Sequence, residues 1–387
     1  MVSLEQAIAA PYATRHLADL GARVIKVERP DTGDFARGYD QRVKGLSSHF
    51  VWVNRNKESL ALDAKDPHGR ELLHRLVAGA DVFVQNLAPG AAARLGLGAD
   101  ALLAEHPRLV VCDISGYGEG GPFTTMKAYD LMVQSEAGLV SVTGAPDAPA
   151  KVGISVSDIA AGMYAYSGVL AALLERGRTG QGSVVDVSML EATVEWMGFP
   201  LYYSYDGAPP PPRAGAAHAT IYPYGPFVAG DGQAVMMAIQ NEREWAGFCA
   251  RFLGRPELAE HPDYASNALR DGHRGPLGEL IAARFAELTT AAATELLAAV
   301  PVAFARVNSM AEVWAHPQLA ARGRWHQIGT PAGPVPALAP PGLADTAPRM
   351  DPVPALGEHT RPILAELGLR GEEIDALVAR GVAALLP

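Results

Sequence analysis

Apolar residues in the first half of the chain fall into short solid runs separated by stretches with helical spacing. RVIKVE (residues 23–28), SLALD (59–63), DVFVQ (81–85), RLVVCDIS (108–115) and SVVDV (183–187) are rich in β-branched residues and too short for helices. Such runs predict strands buried on both faces, and VSLEQA at the start reads as the tail of another. Helical spacing fills the gaps. Residues 11–20 predict a helix closed by Gly21, residues 67–78 one with Asp66 as cap and Pro67 at its first position, and residues 188–197 a third. Strands alternating with helices in this way predict an α/β domain on a mostly parallel, doubly wound sheet.

The longest apolar stretch breaks this rhythm. In KVGISVSDIAAGMYAYSGVLAALLERGRTGQG (residues 151–182) the apolar side chains, Ile159, Met163, Tyr166, Val169, Leu170, Leu173 and Leu174 among them, point to nearly every side of a helix. The pattern predicts a helix from Ser157 or Asp158, as N-cap, to Arg176, buried on all faces and ended by Gly177 and Gly180. Its many Ala and Gly residues let other backbones come close. One carboxylate, Asp158, then sits at the positive end of a buried helix dipole. Read as a cap, it is structural. Read as a carboxylate kept ionised at neutral pH by the dipole, it is a nucleophile. Spacing alone does not choose between the two.

Beyond residue 200 the texture changes. Four consecutive prolines, Pro209–Pro212, read as a stiff spacer out of the first domain. Two strands flanking Gly230-Asp231-Gly232 predict a hairpin. A helix with Trp245, Phe248 and Phe252 follows, then helices over 275–288 and 290–300. A second proline-rich passage, 331–354, returns the chain to two short helices at 359–367 and 372–379. The expected division is a large domain over 1–200, a linker over 201–220, a small α+β domain over 221–330, and a return linker with C-terminal helices over 331–387.

Composition narrows the chemistry. At 387 residues, 49% apolar and 19% charged, the chain is an ordinary globular one with material for two cores. The reading finds no apolar run of about 18 residues and no leader sequence, so no membrane partner and a cytoplasmic location are expected. A net charge of −10 argues against nucleic acid. Cys112 and Cys249 make no disulfide framework, and the 11 scattered His show no metal-ligand spacing, so no metal is expected. There is no GxGxxG after the first strand and no P-loop lysine, which weakens the NAD and ATP readings of such a sheet.

What changes the reading of Asp158 is likeness. The run VGISVSDIAAGMYAYSGVLAALLERGRTGQGSVVDVSMLEA resembles the central segment of the class III coenzyme A transferases, a family that includes formyl-CoA and carnitine CoA-transferases and α-methylacyl-CoA racemase. RVIKVERPDTGDFAR, NRNKESLALDAKDPHGRELL, PRLVVCDISGYGEGGP and LGEHTRPILAELGL extend the resemblance over essentially the whole chain. It implies a Rossmann-like large domain, a small domain, and a ring-shaped subunit interlocked with a second in a homodimer. In that family the first strand begins several residues earlier than Met1 allows here. The resemblance makes Asp158 the catalytic nucleophile. It also implies coenzyme A contacts at Arg29, Leu62, Lys65, Asn86, Leu87, Arg94, Leu95 and Lys127, with Ala7, Ile8 and Ala9 lining the thioester. Gln85 and Ala88 depart from the family's ENFRPG, so that loop lacks its cation, and Ile8 stands where formyl-CoA transferase has a polar amide.

The basic residues of this set sit at turns after predicted strands, where isolated cations suit the coenzyme's phosphates and where ligands of open α/β sheets bind. The racemase relative uses a His where this chain has Tyr129, and a phenol is a poor proton carrier at neutral pH. The expected activity is therefore transfer of coenzyme A from an acyl-CoA, succinyl-CoA in the closest wording, to a short dicarboxylic acid. Coenzyme A enters as substrate, with no permanently bound cofactor. Arg213 and His218, with Tyr129, are candidates to hold the acceptor. An acyl-CoA epimerase and a non-catalytic CoA-binding protein are the rival readings.

Overall fold

Each solid apolar run of the first half becomes a strand of one sheet. In the computed structural model, which describes residues 1–342 and 347–386, β1 (Val2–Leu4), β2 (Val24–Glu28), β3 (Lys57–Leu62), β4 (Val82–Gln85) and β5 (Val110–Ser115) are parallel, and Ser183–Ser188 continues them. A short antiparallel strand from the chain's end, Ala383–Ala384, closes the β3 edge. The order is Ala383–Ala384, β3, β2, β1, β4, β5, Ser183–Ser188. Sequence order therefore turns back at β1 and β4, the place where open sheets of this kind leave a crevice beyond the strands' carboxyl ends.

Alternate side chains feed two cores, as the two-residue period of a strand requires. Phe83 and Val111 face Leu72, Leu73, Leu76 and Val77 of the Pro67–Ala78 helix, together with Ile363, Leu364, Ile374 and Leu377 of the C-terminal helices. Val82, Val84, Val110 and Cys112 face Ala9, Ala13 and Leu17 of the Ala9–Asp19 helix and Ala160, Ala161, Ala165 and Val169 of the Val156–Thr179 helix. Asp66 and Pro67 start their helix as the sequence predicts, the Asp66 carboxylate accepting the His68 N–H.

The 24-residue Val156–Thr179 helix corrects the sequence in three respects. Its N-cap is Ser155, so Asp158 is the third helical residue and not the cap. It runs through Gly177 and ends at Gly180, whose φ of +76° suits glycine. It is also not buried all round. Tyr164, Ser167, Ala171 and Leu174, spaced to share one face, are exposed, because sheet and neighbouring helix cover only the other side. Among the described residues it is the one helix long and apolar enough to match a bilayer, which the sequence reading did not find, yet its Ala and Val side chains are core residues.

The chain divides into two compact units, Met1–Gly138 with Val152–Gly198 and Gln318–Pro387, and Leu139–Lys151 with Phe199–Pro317. The exchanges at 198/199 and 317/318 come before the proline-rich passages, and the 139–151 excursion had no signal in proline content. In the second unit Tyr224–Val228, Ala234–Ala238 and Ala303–Arg306 form an antiparallel sheet, the first two joined across Gly230-Asp231-Gly232. Trp245, Phe248, Phe252, Leu277, Ile281 and Phe285 fill its core. The 331–354 passage contributes Val335–Leu338 to a hairpin with Trp325–Ile328, and residues 343–346 of it lie outside the described residues.

Gly162 fixes how closely the two helices on one face approach. A Cβ there would lie 2.8 Å from the Ala9 carbonyl oxygen and 3.0 Å from the Tyr12 ring. Gly162→Ala should therefore lower the denaturant midpoint by the equivalent of ~1–3 kcal/mol, the usual effect of overpacking. Gly177→Ala on the same helix, where a Cβ meets nothing within 4 Å, should gain up to ~1 kcal/mol in helix propensity. Equal stability of the two variants would show that the helices have slack to separate.

Candidate active site

The loop after β1 is shaped from below by charges no longer in water. Lys57 Nζ donates to Glu5 Oε1 (2.7 Å), the Pro11 carbonyl (2.9 Å) and Asn54 Oδ1 (3.1 Å). Lys26 Nζ donates to Asp34 Oδ2 at 2.8 Å, and Thr14 Oγ1 donates to Glu5 Oε2 at 2.6 Å. All six side chains of this network are buried. Burial lowers Lys57 to about 7, against the pull of Glu5, whereas the Asp34 and Glu5 charges overcome burial and raise Lys26. The network's outward product is backbone geometry. Asp34 Oδ1 accepts the Ala7 N–H at 3.1 Å and Asn86 pairs with Gln6 through both its N–H and its C=O at 2.8 Å. Ala7 is thereby held at φ +60°, a left-handed conformation that costs a non-glycine residue ~1–2 kcal/mol.

That loop delivers an uncapped helix start. Ile8 makes no side-chain capping bond to the Ala9–Asp19 helix, and among the described residues no group accepts the N–H of Ile8, Ala9 or Ala10. The Gly162 contact with Ala9, and the Tyr166 ring 5.3 Å from His16, show the two helices running the same way. One turn back from Gly162 is Asp158, about 6 Å along the axis. This register brings Asp158 level with the Ala7–Ile8 turn.

Asp158 is half-buried, and no side chain or backbone group donates to its carboxylate among the described residues. Burial, and then the charge of Asp130, raise it to about 7. The expectation was a carboxylate kept largely ionised at neutral pH by the helix dipole, and its surroundings push the other way. The N–H groups that carry the dipole's positive end are already taken: Ser157 and Asp158 donate to Asp130 Oδ1 (2.8 and 3.3 Å), Val156 to the Ile154 carbonyl and Ile159 to the Ser155 carbonyl. Tyr39 shares the site. Burial, then Asp34, Asp158 and Tyr129, lift its phenol to about 12.

The other predicted residues gather along the carboxyl ends of the strands. Arg29 follows β2, Lys65 follows β3, Arg94 lies beyond β4 and Lys127 beyond β5, all four exposed. Arg29 also donates to the Gly33 carbonyl. Leu62 is different: its side chain is packed in the core, so it has no surface to offer a ligand. Ile8 and Ala9 are buried too and expose only backbone N–H groups. Leu87 and Leu95 are half-buried against the core, and Asn86 is the strut already described. Tyr129 is 63% exposed, directly before the Asp130–Glu136 helix.

Arg213 and His218 belong to the second unit, and both are engaged there. Arg213 donates to the carbonyls of Ala145 (3.0 Å), Ser141 (3.1 Å) and Pro146 (2.7 Å). His218 Nδ1 accepts the N–H groups of Thr220 and Ile221, and its ring stacks on Tyr224. Sequence reasoning passed over Glu5, Lys26, Asp34 and Lys57. A lysine amid the apolar run RVIKVE was the available signal, since buried lysines require partners.

A carboxyl raised to about 7 has a consequence for stability. Between its unfolded value near 4 and its folded value, the folded protein holds a proton that the unfolded chain has released, so this group makes folding less favourable as pH rises through that window. Asp158→Asn removes no hydrogen bond of the side chain. Its melting temperature should exceed that of the wild type at pH 8, and the gap should close towards pH 4. Equal melting temperatures at pH 8 would mean that the carboxylate is better solvated than its surroundings indicate.

The comparisons agree with this geometry. A family model described as CoA-transferase family III matches residues 1–360. The chain is 36% identical over 391 residues to a succinyl-CoA:glutarate CoA-transferase of Mus musculus, covering 99% of this chain and 88% of that one. It is 34% identical to a succinate–glutarate CoA-transferase of Agrobacterium fabrum, covering 95% of this chain and 94% of the relative. Among solved structures, a CAIB/BAIF family protein from Brucella suis superposes with a TM-score of 0.82 at 34% identity, over 95% of this chain and 97% of the other. With sheet, loops and sequence in agreement over nearly its full length, the chain belongs to CoA-transferase family III.

Proposed function

We propose that this enzyme moves coenzyme A from succinyl-CoA to a short dicarboxylic acid through covalent adducts on Asp158. The observation that carries the reading is Asp158 itself: among the described residues, a half-buried carboxylate with no hydrogen-bond donor, level with the turn that leads into the acceptor-free N–H groups of Ile8, Ala9 and Ala10. A structural carboxylate is satisfied by partners, and this one is left to react. The choice of donor and acceptor rests on the relatives, which are named for succinyl-CoA, succinate and glutarate. The exposed cations beyond the strands suit the coenzyme's phosphates.

The steps balance as follows. The Asp158 carboxylate attacks the succinyl thioester carbonyl, and collapse of the tetrahedral adduct expels coenzyme A thiolate and leaves a mixed anhydride. The thiolate attacks the aspartyl carbonyl of that anhydride, releasing succinate and forming an aspartyl thioester. The acceptor carboxylate attacks this thioester, expelling the thiolate again. Thiolate attack on the acceptor's own carbonyl then gives the new acyl-CoA and restores Asp158. Each tetrahedral adduct carries an oxyanion. The N–H groups at the head of the Val156–Thr179 helix are already bonded, so the free ones of Ile8, Ala9 and Ala10 are the donors that suit it.

Asp158→Asn, checked for deamidation, should fold and bind coenzyme A but lose activity by ~10⁴-fold or more, the scale of removing a covalent nucleophile. Wild-type enzyme given succinyl-CoA and hydroxylamine should yield a hydroxamate on the peptide containing Asp158. Turnover by the amide variant at the wild-type rate would reduce Asp158 to a structural group. Tyr129 favours transfer over epimerisation, so an α-chiral acyl-CoA in deuterated water, without acceptor, should gain no α-deuterium. Exchange at a rate comparable to turnover would make the enzyme an epimerase.

A homodimer of interlocked, ring-shaped subunits is part of the same reading. It is supported by the family resemblance and by exposed apolar side chains on the first unit, Tyr164, Leu174 and Trp196 among them. Such a dimer separates only on unfolding. Sedimentation at nanomolar protein should show dimers alone, and folded monomers would remove the interlocking without touching the chemistry.

A further inference from the structure

We propose that Asp130, oriented by Gln134, acts as a positioning residue that makes Asp158 hold its proton in the free enzyme; this rests on Asp158 being the nucleophile. The two residues stand one turn apart on the Asp130–Glu136 helix, and four hydrogen bonds run through them. The Val152 N–H donates to Gln134 Oε1 at 3.0 Å. Gln134 Nε2 donates to Asp130 Oδ2 at 2.6 Å. Asp130 Oδ1 accepts the Ser157 N–H at 2.8 Å and the Asp158 N–H at 3.3 Å.

The direction of this relay is fixed at its far end. A backbone N–H can only donate, so Gln134 must turn its carbonyl to Val152 and its amide to Asp130. Gln134 is fully buried and has no room for the reverse arrangement without losing both bonds. Asp130 therefore faces three N–H donors, which hold it in place beside the helix start. Among the described residues Asp158 faces none, and it meets Asp130 in surroundings that already disfavour a charge. The same bonds occupy the first-turn N–H groups that would otherwise favour a charge on Asp158.

Burial is the larger influence on Asp158, and Asp130 is the charge that adds to it. Tyr39 and, beside it, Tyr129 are phenols, and Tyr12 of the Ala9–Asp19 helix packs against Gly162 one turn on. Asp113 and Asp186 on the strands, and Glu191 and Glu195 on the Met189–Trp196 helix, are not among the charges that act on Asp158. Among the described residues no lysine, arginine or histidine acts on it either. The nucleophile is thus held partly in reserve, and becomes reactive as it loses its proton.

The test is the pH dependence of the first acylation, read as Asp158 hydroxamate formed from succinyl-CoA in a single turnover. In the wild type the rate at pH 5.5 should be ~3% of that at pH 8, following ionisation near 7. Asp130→Asn removes the neighbouring charge while burial, the larger cause, stays, and the ratio of the two rates should rise ~threefold or more. The double variant Asp130→Asn, Gln134→Glu restores a hydrogen bond between the pair with the charge moved a turn away. It should regain thermal stability while keeping the flattened profile. Gln134→Met, which loosens the hold on Asp130 beside the helix start, should show an intermediate ratio. A purely structural role would lower the rates of these variants and leave the ratio at the wild-type value, and that result overturns the proposal. Should Asp130→Asn not fold, a wild-type ratio in the Gln134→Met and double variants overturns it equally. Hydroxamate found away from Asp158 would instead refute the nucleophile assignment, a separate outcome from an unmoved ratio on the correct peptide.

Discussion

Asp130 reaches across from its own short helix to accept the Ser157 and Asp158 N–H groups, and this contact ties together most of what is distinctive about the first unit. It completes the start of a 24-residue helix whose own N-cap residue makes no side-chain bond. It anchors that helix at one end while Gly162 seats it against the Ala9 carbonyl one turn further on. Capping by a distant carboxylate is energetically ordinary, worth ~1 kcal/mol. Its effect on chemistry is larger, because a second carboxyl lies within the reach of the first in a setting with little water.

The site so formed joins two kinds of backbone terminus. The Val156–Thr179 helix arrives with its N–H groups bonded, and the Ala9–Asp19 helix arrives with its own open. The open end is held by Asp34, Asn86 and the buried lysines beneath them, a set of charges that contributes little net stability once its desolvation is counted. Their function is geometric: they force Ala7 into a left-handed turn that an apolar filling of the same volume would not dictate. Charge is used here to shape a loop, and the loop in turn is free to bind charge.

Legibility in the sequence followed the type of interaction. Strands announced by Val and Ile runs, the Asp66–Pro67 helix start and the Gly-Asp-Gly hairpin all depend on local chemistry, and they stand where the sequence placed them. The Asp130–Glu136 helix is about two turns long with no periodic signal, and Ser309 with Glu312 forms a capping box that went unread. The start of the Val156–Thr179 helix was misplaced because Ser157 and Asp158 are ideal caps by composition. The N-cap position is Ser155, and the side chain that accepts the Ser157 N–H is 27 residues away in sequence, where only tertiary structure brings it close. The same distance hides the ionisation of Asp158, which the helix alone would have favoured. Arg213 looked like a ligand-binding cation because it lies at the expected domain junction, where substrate pockets often form. Three carbonyls from one neighbouring loop claim it instead.

The antiparallel pairing of Ala383–Ala384 with β3 has a bearing on how the chain is made. Strand β3 leaves the ribosome long before the residues that cover its edge, Gly357 and Thr360 with them, which follow about 300 residues later. At ~5–20 residues per second, that interval is roughly 15 to 65 seconds. During it the apolar stretch Ser59–Leu62 is an open edge, the kind of surface on which other chains add strands. A nonsense or frameshift change ahead of Gly357 would leave that edge open for good, and should be felt as aggregation of the newborn chain while the surroundings of Asp158 are intact.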